Sequence, residues 1–234
     1  MASVSPHYSP EAIRFFRGLK RNNDREWFNA RKDIYERVVK APTIALVVAV
    51  NETLLRIAPE NIQPPQKAMM RIYRDIRFSS DKRPYKIHQG VWWAREGLEK
   101  TSGGGFYFDL SGEHVTIAAG VFMPEREQLL AIRRHLELHH EEMRRILAQK
   151  KLRTLMKEID GQKLTRAPKG FSPDSLALDL ILNREWGLIT KLPADTATKP
   201  TLLREIVKRF EAAAPMVALL NAPLAAKKQR RPLF

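Results

Sequence analysis

The 234-residue chain contains no cysteine. Disulfides, thiolate nucleophiles, iron–sulfur clusters and thiolate-bound zinc are therefore excluded, and the composition suits a reducing compartment. Long hydrophobic runs are missing too. The longest, from Ile44 to Val50, falls far short of the roughly 20 apolar residues that cross a bilayer. The opening MASVSPHYSPEAIRF lacks the basic segment followed by an apolar one that marks a secretory signal. These absences predict a cytoplasmic protein with no membrane partner. Internal repeats and low-complexity linkers are also lacking. Acid is in short supply: 41 Lys+Arg face 26 Asp+Glu, a formal net charge of +15. Such an excess favours an anionic partner, either a phosphorylated compound or a nucleic acid. Its bland counterpart is a surface of arginines that grip nothing.

A hydrophobic content of 44% beside 29% charged residues is that of an ordinary globular chain, long enough to bury a sizeable core. Ser9-Pro10-Glu11 reads as a helix start, with Ser9 as N-cap and Pro10 at the first helical position. Ile13, Phe16 and Leu19 then share one face. Asn23 or Asp24 caps a second helix, Pro42 breaks the pattern, and a third helix runs to about Ile57. From Lys67 to Phe122 four short runs rich in aromatic and β-branched residues predict strands: KAMMRIY, HQGVWWA, GGFYFDL and HVTIAAGVF. Ser111-Gly112-Glu113 joins the last two as a hairpin. Helices return after Pro124, REWGLITKL reads as a late strand, and a helical end follows Pro200, with Pro215 starting its last segment. The prediction is a single α+β domain over residues 1–225, a central antiparallel sheet covered by N- and C-terminal helices, and a basic flexible tail over 226–234.

The densest chemistry lies in RIYRDIRFSSDKRPY, residues 71–85. Five cations (Arg71, Arg74, Arg77, Lys82, Arg83) and two carboxylates (Asp75, Asp81) alternate with Ile72, Ile76 and Phe78, and Tyr73 and Tyr85 add two phenols. The interleaved apolar residues predict a segment folded into the protein. In a strand, Arg71, Asp75 and Arg77 would share a face and Arg74 would lie opposite, with Asp81-Lys82 in a turn after Ser79-Ser80. Arginine forks suit phosphate or carboxylate, and the cations outnumber the acids by three. The expectation is an anion pocket formed by Arg71, Arg74, Asp75, Arg77, Asp81, Lys82 and Tyr85, with His88 and Lys169 as neighbours. An internal ion-pair network tying the sheet to the helices is the competing structural reading.

This cassette resembles the signature of a conserved hypothetical bacterial family, the domain of unknown function numbered 2461. NNDREWFNARKDIYE, GGGFYFDL, AAGVFMP and RAPKGF resemble further features of that family in the same order. The resemblance spans roughly residues 13–220. It implies kinship and carries no reaction with it.

Other constellations read more simply. His135 and His139, four apart on a helix, could meet one ion, but a solvated helix face explains them better, and no metal site is expected. Gly103-Gly104-Gly105 precedes a strand, not the helix a phosphate loop needs, and reads as a turn passing the cassette. Trp92 and Trp93 must straddle the sheet. Residues 144–169 hold nine Lys/Arg against two acids, yet no nucleic-acid-binding signature accompanies them. Three functions remain: binding of a phosphorylated or other anionic ligand, nucleic acid included; hydrolysis or transfer of a phosphate ester, with Asp75 or Asp81 as base and Lys82, Tyr85 or His88 as proton donor; and a structural or partner-binding role with no small ligand. Cofactors are not readable from the sequence.

Overall fold

Three runs of aromatic and β-branched residues after Ile87 form the centre of the structure, a computed structural model that describes residues 5–98, 103–156 and 158–224. They are β1 (His88–Trp93), β2 (Gly105–Ser111) and β3 (His114–Val121). The predicted hairpin turn closes β2 onto β3: Ser111 Oγ donates to the His114 carbonyl at 2.9 Å and accepts the His114 N–H at 3.0 Å. The late strand β5 (Trp186–Pro193) pairs with β3, and the short β4 (Ile159–Asp160) pairs with β5 on its other edge. Every pairing is antiparallel, in the order β1-β2-β3-β5-β4.

Side-chain alternation gives this sheet two unlike faces. Val91, Trp93, Phe106, Phe108, Leu110, Val115, Ile117, Ala119 and Leu188 point to one side and belong to the main core. Helices from both ends of the chain cover that side. Tyr8, just before α1 (Pro10–Arg21), stacks on Phe108, and Phe210 of α8 (Leu202–Asn221) meets Trp93 at 5.5 Å and Phe106 at 4.8 Å. One core joins sheet and helices, so the architecture is a single α+β domain. The opposite side carries His88, Gly90, Trp92, Tyr107, Asp109, Ser111, Thr116 and Ala118, in register across β1, β2 and β3. Polar groups on that second face frame the site described below.

The helical capping follows the sequence closely. Pro10 opens α1, and Asp24 caps α2 (Arg25–Asn29) by accepting the Trp27 N–H at 2.8 Å. After Pro124, Glu125 and Gln128 form a reciprocal capping box at the start of α5 (Arg126–Ala148). Besides the long α3 (Lys32–Ile57), three short α-helices follow among the described residues: α4 (Pro65–Ala68), α6 (Lys150–Leu155) and α7 (Leu178–Ile181).

Three local expectations are corrected. Pro42 does not end a helix, because α3 runs unbroken over Lys32–Ile57. A π-helical turn at Tyr35–Lys40 shifts the bonding so that Ala41 N–H reaches Glu36 O, and the missing proline donor falls just after that shift. Pro215 likewise lies inside α8 and starts no new segment. KAMMRIY is not a strand. It contributes the end of α4 and two isolated pairings, Met69 with Val91 and Tyr73 with Tyr85. The tail predicted at 226–234 lies outside the described residues. By length and composition α3 could cross a membrane, although its longest wholly apolar run is only Ile44 to Val50; Leu46, Val47, Val50 and Leu54 are buried in the core.

Candidate anion-binding site

Residues 71–84 leave the sheet edge as a loop whose backbone is shaped by its own carboxylates. Asp75 accepts the Arg77 N–H at 3.2 Å and the Arg77 guanidinium at 3.0 and 2.7 Å. Asp81 repeats the device one turn later, accepting the Arg83 N–H at 3.1 Å and its guanidinium at 3.0 and 2.6 Å. Each Asp-x-Arg unit is thus a closed local turn. Arg74, with its side chain only 25% exposed, adds a second cation to Asp81. Hydrogen bonds from Arg77 hold the Asp75 carboxyl at about 2. Those from Arg83 and Arg74 hold Asp81 well below the usual carboxylate range. The two acids are therefore committed to Arg74, Arg77 and Arg83. Arg71 reaches Asp75 only at 4.0 Å and is 69% exposed, and Lys82 donates to the Ile76 carbonyl at 3.0 Å.

The base of this loop is held by aromatic packing. Tyr85 is buried and stacks on Phe28 at 4.1 Å, with Tyr73 closing the cluster at 5.3 Å from Tyr85. Asn23, in the turn between α1 and α2, bonds both backbone groups of Tyr85, donating to its carbonyl and accepting its N–H at 3.0 Å each. This side chain acts as a one-residue strand partner. Tyr85 thus anchors the cassette from the core. Phe78 departs further from the sequence expectation, since its ring is 95% exposed at the loop's tip.

His88, expected beside the cassette, instead begins β1 and lines a separate cleft of about 520 Å³ between α1 and the β2–β3 hairpin. Phe16, Arg17, Lys20, Arg21, Ile87, Ser111, Gly112, Glu113 and His114 complete its walls. Arg17 Nε donates to the Gly112 carbonyl at 2.9 Å, which ties α1 to the hairpin across the cleft. Lys20 takes Glu113 as its partner. Among the described residues Arg21 has no hydrogen-bond or ion-pair partner. Lys20 and Arg21 stand in the last turn of α1, where the helix dipole favours cations. Lys169 lies exposed in the loop before α7 and joins neither group.

Behind His88 the second face of the sheet carries a buried polar row. Asp109 is 7% exposed, and its Oδ1 has no hydrogen-bond partner among the described residues. Burial raises its carboxyl above the ordinary value, while His88 and the hydroxyls of Tyr107 and Thr116 pull it down. Burial in turn lowers the His88 imidazole, with Asp109 opposing and Lys86 and His114 reinforcing that shift. Trp92, on the same face, also keeps a buried Nε1–H with no partner among the described residues. Trp93 faces the core and donates to Asn51 at 3.1 Å. The pair does straddle the sheet.

The sequence reading missed Arg17, Lys20, Arg21, Asp109, Tyr107 and His114. A signal for the first three existed, since Arg14, Arg17, Lys20 and Arg21 fall at helical spacing and make one basic face of α1. Asp109 carried none beyond its place in a strand of aromatic residues. The triglycine serves the C-terminal helix, not the cassette: Gly104 donates to Asn221 Oδ1 at 2.8 Å, and its carbonyl accepts from Asn221 and Asn61 at 3.1 Å each. The His135 and His139 rings stack at 4.1 Å. No group of three or more His, Asp or Glu placed to hold a metal occurs among the described residues.

A family model described as conserved hypothetical protein (DUF2461) matches residues 11–218, and the chain belongs to that family. No curated protein matches the chain.

Proposed function

We propose that this member of the DUF2461 family binds a phosphate-bearing ligand in the cleft between α1 and the β2–β3 hairpin. One observation carries the reading: Arg17, Lys20, Arg21, His88 and His114 line a single cleft whose one carboxylate, Glu113, is already taken by Lys20. A set of cations larger than its one internal counter-charge favours an anion from outside, and arginine offers paired N–H groups to it. The cassette flanks this cleft through the Asn23–Tyr85 bonds and adds two surface cations with no close carboxylate: Arg71, 4.0 Å from Asp75, and Lys82, which donates to the Ile76 carbonyl. A thermal-shift series with inorganic phosphate, pyrophosphate, nucleotides and sugar phosphates tests it. A compound that binds only the folded protein raises Tm, and Arg21→Ala combined with His88→Gln should remove that rise. No stabilisation by any phosphate compound would refute the reading.

A second reading, hydrolysis or transfer of a phosphate ester, is favoured by the acid behind the cleft wall. A histidine backed by a buried carboxyl is a plausible acid–base pair for moving a proton to a leaving oxygen. Phosphate release from an ester panel, abolished by both His88→Gln and Asp109→Asn, would support it over simple binding. If neither stabilisation nor turnover is found, the structural or partner-binding role stands.

A further inference from the structure

Phe78 is the outlying apolar group of the molecule. Its ring is 95% exposed, in a segment whose backbone is pinned on both sides by the Asp75–Arg77 and Asp81–Arg83 turns. A held ring so open to solvent invites a partner that brings its own flat surface. The neighbours specify the charge of that partner. Arg77 places its guanidinium carbon 5.8 Å from the ring centroid, and Arg71, Lys82 and Arg83 stand on the same loop. Once Asp75 and Asp81 are counted, the loop still carries three positive charges in excess. Tyr73, half-exposed at the loop's base, offers a second ring edge.

Single-stranded nucleic acid matches both requirements. Its bases present free faces for stacking on an aromatic ring, and its phosphates take arginine and lysine at regular intervals. A duplex hides its base faces and is read by a helix or ribbon in a groove, and the finger offers only a loop. An anionic membrane calls for more than one apolar anchor, whereas Ser79, Ser80 and Asp81 follow the ring directly. We infer that the loop Arg71–Arg83 is a docking finger for single-stranded nucleic acid, with one base stacked on Phe78 and phosphates on Arg71 and Lys82, the two cations of the loop that no close carboxylate holds. The inference rests on the reading of the protein as a phosphate binder and adds the class of ligand and a second point of contact.

Fluorescence anisotropy with a labelled single strand of about 12 nucleotides, and with the matching duplex, tests it. The single strand should bind more tightly. Phe78→Ala should weaken it by about fivefold or more at every salt concentration while leaving the salt slope unchanged, because stacking releases no counterions. Phe78→Trp should retain binding. Arg71→Ala with Lys82→Ala should instead flatten the slope, by about 0.7 per lost phosphate contact. Phe78 makes no core contact, so an unchanged Tm confirms that its variants fold. Equal binding by wild type and Phe78→Ala, equal binding to duplex, or Phe78-dependent binding to phosphatidylserine vesicles without oligonucleotide binding would each overturn the proposal. Pyrophosphate separates the two readings. If it stabilises both wild type and Phe78→Ala while no oligonucleotide binds, the finger fails and the cleft stands; if neither binds, both fail.

Discussion

Inside the sheet's second face Asp109 keeps an oxygen with no hydrogen-bond partner among the described residues, a position that costs stability whenever the group is charged. Its folded pKa is raised, so the folded chain holds this proton where the unfolded chain has released it. Stability from this site is therefore lost as pH rises from the ordinary carboxylate value toward the raised one. His88 works at the other end. Its folded pKa is depressed below 6.5, the unfolded chain binds the extra proton, and stability is lost as pH falls through that range. Asp109→Asn removes the first of these contributions. Its Tm should exceed that of the wild type at about pH 8, with the difference shrinking as pH falls from the raised folded value toward the ordinary carboxylate one. A variant less stable than wild type at about pH 8 would mean that the carboxylate is satisfied in the folded chain. Sequence could not reveal this residue. An aspartate in FYFDLS reads as one outward step of an amphipathic strand, and only the pairing with Gly90 and Thr116 shows that outward is also buried.

Among the elements, the strands from His88 to Val121 and the late strand were legible because aromatic and β-branched residues end at real turn signals. The cassette was not. Arg-Ile-Tyr-Arg-Asp-Ile-Arg-Phe mimics a strand in its apolar spacing, yet Asp75 and Asp81 capture N–H groups two residues on and divert the backbone from any ladder. Local side-chain bonds outcompeted periodicity. The two misread prolines have the opposite lesson, since tertiary packing along α3 and α8 carried helices through residues that usually break them. The sheet itself depends on one backbone conformation no sequence pattern displayed. Gly120 sits at φ +131° between Gly105 and Gly187, and a Cβ there would run into the Trp186 carbonyl. Gly120→Ala should cost at least about 3 kcal/mol, from strain plus displacement of the β3–β5 pairing. Urea denaturation would measure it, and a loss under about 1 kcal/mol would mean that the strand end simply shifts.

Across the whole molecule the charge of +15 is not spread as one even coat. Some of the 41 Lys+Arg behind it are paired internally: Arg74, Arg77 and Arg83 with two aspartates, Arg144 with Asp179, Arg209 with Glu205. Arg17 and Arg21 in the cleft keep donors free, while the lysines and arginines at 227, 228, 230 and 231 lie outside the described residues. A net charge read from composition cannot separate these groups, because it counts a guanidinium bonded to aspartate and one facing water alike. Affinity should separate them. A small phosphate ligand in the cleft meets its cations at hydrogen-bond distance, whereas charges on a chain terminus act through solvent and fade beyond a Debye length of about 8 Å at physiological salt. Arg21→Ala should therefore weaken pyrophosphate binding about tenfold, ~1.4 kcal/mol. Removing residues 226–234 should change it by less than about threefold, and that small change should vanish at about 0.5 M salt. Isothermal titration of the two variants decides between them. Should the truncated chain lose binding while Arg21→Ala retains it, the anion is held by the basic terminus, and the cleft beneath α1 is an ordinary solvated face.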